Sequence, residues 1–135
     1  SDLRMGKDIS IVSNADKVIE NFKKMTKLAE QEGIAFVNDS MNKIVSTAKP
    51  LTPVKSGDLR RGYRVQGARV LSAGRIVGAV RNNEKYFKYV EEGHRTRGGG
   101  FVKGRFMLTR ATNLAHMSYI PRRFKQMAIR IVKKG

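Results

Sequence analysis

The chain has no cysteine and no tryptophan, only three prolines in 135 residues, and 7% aromatic residues. Without cysteine there is no disulfide framework, no thiolate zinc site and no cysteine nucleophile. No run of about 18 apolar residues occurs, so no membrane-spanning helix is expected. The opening SDLRMGKDIS holds no apolar signal region, and a cytoplasm-like compartment is the expectation. Acid is scarce: 11 Asp/Glu stand against 28 Lys/Arg, a net charge of +17. The shortage sits in one half. Residues 1–58 hold nine basic and eight acidic residues, whereas residues 59–135 hold nineteen and three, so the halves carry +1 and +16. A charge serving only solubility has no reason to gather on one half. The imbalance points to an anionic partner, nucleic acid or acidic protein.

The same scarcities narrow the chemistry. A metal-dependent nuclease needs several carboxylates converging on one cation. The basic half offers only Glu84, Glu91 and Glu92. The two histidines, His94 and His116, lie far apart, and a zinc site takes three or four ligands. His116 reads as a surface or half-buried helix residue. No GxxxxGK[ST] stretch is present, so glycines do not signal a phosphate-cradling loop. Adjacent Glu91 and Glu92 point apart on most backbones, with no nucleophile beside them. Their expected role is salt bridging to nearby arginines. No enzyme activity, catalytic residue, metal or cofactor is expected.

What is present suits a single α+β domain of residues 1–135. After an N-terminal arm, 1–13, a helical region is predicted over 14–49. Ser13 or Asn14 can cap it, with Asp16 in the first turn. Val18, Ile19, Phe22, Met25, Leu28 and Ala29 recur at helical spacing, and Ile34, Val37, Met41, Ile44, Val45 and Ala48 continue it past Gly33. Periodicity leaves open whether these are one helix or two. Pro50 and Pro53 end the run. Lys55-Ser56-Gly57-Asp58 is a turn by its chemistry. An antiparallel sheet region is predicted over 58–92. One strand alternates through Leu59, Arg61, Tyr63 and Val65, and another runs Ile76 to Val80, with a hairpin turn at 72–74. Tyr86, Phe87, Tyr89 and Val90 fit a short strand or a helical turn. The C-terminal region, 106–133, is helical. Met107, Ala111, Leu114, Ala115 and Ser118 share one face, Ile120, Phe124, Met127, Ala128 and Ile131 another, and Pro121 kinks or divides the two.

Between sheet and C-terminal helix lies the most distinctive stretch, 94–105. Arg95, Arg97, Lys103 and Arg105 are interleaved with Gly98, Gly99, Gly100 and Gly104, and His94 stands at its start. Ordering glycine costs the most backbone entropy, so three in a row predict a mobile basic loop. Such a loop on firm ends suits docking of a neighbouring subunit or an anionic partner.

Four features occur in order: a helical region ending in AKPLTPVKSGDLRRG, a hairpin, YFKYVEEGHRTRGGG, and GRFMLTRA opening a helix. In this order the chain, over residues 15–130, resembles the tail-completion, or head–tail neck, family of tailed bacteriophages and prophage-derived particles. The matching positions are Pro53, Gly57, Leu59 and Arg60, then Tyr86, Tyr89, Val90, Glu91 and Gly93. They read as fold markers. Pro53 stops the helix, Gly57 supplies a special backbone conformation, and Tyr86, Tyr89 and Val90 anchor the loop base. The resemblance implies helices packed on a small antiparallel sheet. It also implies a non-catalytic virion protein that joins itself into a ring, expected to be a hexamer, at the neck. Its neighbours there would be the head–tail connector or stopper and the tail terminator or tube, with DNA in the channel and no membrane.

A charge comparison bears on the use of the basic residues. A hexamer would carry roughly +100, whereas about 40 Å of enclosed duplex presents only about 24 phosphates at one per ~1.7 Å. DNA would neutralise about a quarter, which leaves protein docking as the main use. The alternative is a free basic nucleic-acid-binding protein. The charge supports it, but the chain holds no RNP-like aromatic signature, zinc finger or helix-turn-helix pairing.

Overall fold

The structure, a computed structural model, describes residues 2–4, 8–12, 27–54, 57–71 and 75–134. The cap expected at Ser13 or Asn14 and the face expected at Val18, Ile19, Phe22 and Met25 lie outside these residues, as does the turn at 72–74. One helix, α1 (Lys27–Leu51), organises everything else. Its buried positions include Ala29, Gly33, Phe36, Val37, Ser40, Met41, Ile44 and Ala48, a single stripe at spacings of three and four. Gly33 does not break it. Pro50 sits in its last turn, and the helix stops one residue later, because proline brings no N–H donor to the carbonyl four residues back. Thr52 then closes the C-terminus. Its N–H donates to Lys49 O at 3.1 Å and its hydroxyl to Ala48 O at 2.7 Å, which satisfies two of the orphan carbonyls.

The α+β class holds. A four-stranded antiparallel sheet has the order β1-β2-β4-β3, built from β1 (Asp2–Arg4), β2 (Asp8–Val12), β3 (Tyr63–Val70) and β4 (Ile76–Asn82). Two corrections follow. The stretch expected as an arm, 1–13, supplies two strands, with Ile9 opposite Val80 in β4. The strand expected to start at Leu59 starts at Tyr63. Asp58–Arg61 is instead one helical turn, α2, which follows Gly57 at φ 81°. The i, i+2 alternation of Leu59 and Arg61 belongs to that turn, where Leu59 alone points inward. The register of β3 against β4 shifts between Gln66 and Arg69. Asn38 of α1 accepts the N–H of Ala68 at 2.8 Å, so a backbone donor in that irregular stretch is paired.

The helix lies close on the sheet because two glycines allow it. A Cβ on Gly33 would stand 2.7 Å from Ile76 Cδ1, and one on Gly78 would stand 2.5 Å from Met41 Cε. On its other side α1 takes the C-terminal helices, which pack chiefly on it. These are α4 (Met107–Leu114) and α5 (Ile120–Lys134), labelled after α3 (Phe87–Glu92), which follows the sheet. Phe36 meets Phe124 edge to face at 5.8 Å. Arg123 holds Asp39 through Nη2 at 2.9 Å and Nε at 3.0 Å, fixing α5 to α1.

Pro121 does not divide the C-terminal helix. A π-helical turn, Ala115–Tyr119, joins α4 to α5, and Ile120 N–H donates to Ala115 O. The wider turn inserts one residue before the proline. The buried stripe therefore steps from Ala115 to Ile120, where an undisturbed helix would bring in Tyr119. Leu114, expected on the inner face, is half exposed, and Thr112 is buried with its hydroxyl on Leu108 O at 2.8 Å. His116 in this turn is half-buried, and burial lowers its pKa.

Candidate functional site

The stretch expected as a mobile loop is a hairpin. Strands β5 (Gly93–Arg95) and β6 (Phe101–Lys103) pair antiparallel, with His94 opposite Val102. The glycines close its turn. Thr96 N–H donates to Gly100 O at 2.9 Å and Gly99 N–H to Thr96 O at 3.2 Å, while Gly100 N–H reaches Thr96 Oγ1 at 3.0 Å. Gly99 takes φ 85°. Entropy argued for a loop, but three hydrogen bonds to Thr96 and one left-handed glycine make a defined turn.

The hairpin is fastened at its base. After β6 the chain runs back along the end of α3, with Arg105 N–H on Val90 O at 2.9 Å and Phe106 N–H on Glu91 O at 3.0 Å. These are carbonyls a short helix leaves free. The Glu91 side chain, only 3% exposed, turns to the first turn of α4. Its Oε1 accepts from Leu108 N–H at 3.0 Å. Its Oε2 accepts from Thr109 N–H at 3.0 Å and from the Thr109 hydroxyl at 2.7 Å. A carboxylate at a helix N-terminus satisfies orphan donors and complements the dipole. The expected salt bridge from Glu91 to arginine is therefore replaced by a cap made across the hairpin. Phe106, at φ 49° directly before α4, is the non-glycine residue of positive φ among the described residues.

The first motif is joined to this one. Arg60 Nε donates to Thr52 O at 3.0 Å, and Asn82 Nδ2 to Leu59 O at 2.8 Å. Tyr63 OH lies 2.9 Å from Thr52 Oγ1. Since the Thr52 hydroxyl already donates to Ala48 O, Tyr63 is the donor in that pair. Tyr63 also meets Phe87 edge to face at 5.8 Å. Its pKa is raised to about 12, first by burial, with the Glu91 charge adding. The folded protein thus holds this proton more tightly than the unfolded chain. Its contribution is intact below pH 10 and falls as pH rises from 10 toward 12. The stability advantage of wild type over Tyr63→Phe should therefore shrink across that interval, read as the difference in melting temperature at pH 9 and at pH 11. An unchanged difference would contradict the buried phenol.

Between the two motifs lies a groove of about 280 Å³. Pro53, Gly57 and Leu59 line one side, Tyr86, Tyr89 and Val90 the other, and His94, Val102, Lys103 and Arg105 close it from the hairpin. Tyr89 stacks edge-on to His94 at 5.8 Å. Most of the residues singled out in the sequence thus meet here. Arg95 and Arg97 do not line the groove; they stand exposed on the hairpin. Arg60, Glu91 and Gly93 act beneath it, holding backbone. Sequence reading missed Thr52, whose place four residues after Ala48 was the available signal, and the exposed Phe101 and Val102 of β6. Among the described residues no group of His, Asp or Glu is placed to hold a metal ion, and no helix is long and apolar enough to cross a membrane.

A family model described as "Bacteriophage HK97-gp10, putative tail-component" matches residues 16–93. The match takes in α1, both β3 and β4, and α3, and it ends at the glycine that opens the basic hairpin. No curated protein and no solved structure matches the chain.

Proposed function

The chain belongs to the HK97-gp10-like family of bacteriophage tail components, and from that premise we propose that it is a tail-completion protein of the neck. In this reading copies close into a ring, expected to be six, at the tail end through which DNA passes. The ring meets the connector or stopper on the head side and the terminator or tube on the tail side. It works by docking and carries out no catalysis. The observation that supports this best is the meeting of both sequence motifs with the basic hairpin around one groove.

The hairpin cations are the docking groups of this proposal: Arg95, Arg97, Lys103 and Arg105, with His94 at their base. All five residues are exposed. One exposed ion pair is worth about 0–1 kcal/mol. Four lost at about 0.5 kcal/mol each weaken one docking contact roughly 30-fold, and the loss compounds around a ring. Changing all four Arg and Lys residues to Glu should leave far-UV circular dichroism unchanged, because none is core. In a complementation assay it should leave heads and tails to accumulate unjoined. Normal infectious particles from a folded variant would remove the docking role. The net charge of +17 also suits a free nucleic-acid-binding protein. Negative-stain images separate the two: rings or tail-end density, against monomers that shift duplex DNA in a gel.

A further inference from the structure

We infer that the groove between the two motifs receives an acidic segment of a different virion protein, anchored by one large apolar side chain; this rests on the chain's place in the phage tail. Leu59, Val90 and Val102 give the groove an apolar lining, together with Tyr86 and Tyr89. Tyr89 is 58% exposed, and Phe101 on β6 is 65% exposed. Its volume of about 280 Å³ suits one aromatic or two aliphatic side chains with some flanking backbone. Desolvated aromatic pockets of this kind are where binding energy concentrates.

Charge names the partner. His94, Lys103 and Arg105 are on the lining, and among the described residues no carboxylate is. Arg95 and Arg97 extend the cationic side outward along the hairpin. An apolar residue flanked by Asp or Glu fills the pocket and meets the cations together. A second copy of this chain fits less well, because it brings +17 of its own. Duplex DNA carries the right charge, but it offers no side chain to fill an apolar pocket. The hairpin base holds the pocket open. Gly93, at φ 87°, and Gly104 lie against each other, so the cationic strand cannot swing away without breaking backbone bonds to α3.

The test uses the full chain in particles. Tyr89 is replaced by the photocrosslinker p-benzoylphenylalanine, supplied in trans to a phage lacking its own copy, and purified particles are irradiated and analysed by mass spectrometry. A second probe at Phe101 serves if the first variant fails to fold. The expected product is a crosslink to a single carboxylate-rich segment of another virion protein. Crosslinks to DNA, to a second copy of this chain, or to nothing in particles that contain the chain overturn the inference and leave the tail placement standing. Absence of the chain from normally assembled particles overturns the tail placement, and the inference with it.

Discussion

Glu91→Ala should lower stability by about 3 kcal/mol or more, although Glu91 lies in a helix of only six residues and touches no other charge among the hydrogen bonds it makes. Three donors converge on its buried carboxylate. Hydrogen bonds to a charged group are worth about 1.5–3 kcal/mol each, and an orphaned buried donor costs about 1–3 kcal/mol. Some of that is recovered by water entering at Thr109, which is half-buried. For a domain of this size the loss lowers the melting temperature by roughly 10 °C. Glu91→Gln keeps the shape and one good acceptor but presents an amide to a donor, so it should fall between alanine and wild type. Thr109→Val loses one hydroxyl bond and should cost about 1 kcal/mol. The order is the test: alanine worst, then glutamine, then Thr109→Val. A Glu91→Ala protein within about 0.5 kcal/mol of wild type would show that the carboxylate does not cap α4.

That cap also marks the boundary of what the sequence could reveal. Helix α1 was legible because its apolar stripe repeats at a local period, and so were the β4 run and the burial of Met127 and Ile131. Local chemistry likewise gave the left-handed Gly57. Glu91 was misread because its partners are 17 and 18 residues away, on the far side of a hairpin. No window of sequence contains both ends of that contact. The hairpin was missed for a related reason. Glycine entropy is a local cost, whereas the bonds of Arg105 and Phe106 to α3 that offset it are tertiary. Leu114 was placed inside because it follows Ala111 by three, but the buried stripe of α4 is centred on Leu108, Ala111, Thr112 and Ala115, which leaves Leu114 beyond its edge. The candidate site was readable as a set of residues, since the motif positions do converge. Its shape was not, because a groove depends on how α3 and the hairpin lie against the chain after Pro53.

Gly104→Ala should be more damaging than substitution of any glycine in the GGG turn, even though the turn glycines look more conspicuous. A Cβ on Gly104 would stand 2.5 Å from Glu91 O, 2.5 Å from Glu92 C and 2.8 Å from Gly93 N. All three are backbone atoms, fixed by α3 and by the β5–β6 pairing, so none can rotate away as a side chain would. Relief requires the strand leaving the hairpin to lift off α3. That breaks the bonds from Arg105 and Phe106 and moves the donors that Glu91 caps. A cost of about 3 kcal/mol or more follows from overpacking together with a lost cap. Gly99→Ala meets no neighbour within 4 Å but must hold φ 85°, which costs about 1–2 kcal/mol for a residue with a Cβ. Gly98→Ala meets open space at an ordinary φ and should stay within about 0.5 kcal/mol of wild type. Melting temperatures of the three variants should fall in that order, with Gly104→Ala lowest. The groove should fail with it, since Lys103 and Arg105 flank the displaced residue: Gly104→Ala should leave heads and tails unjoined where Gly98→Ala supports normal particles. Equal stability for Gly98→Ala and Gly104→Ala would mean that the hairpin base is not clamped, and that the groove has no fixed cationic wall.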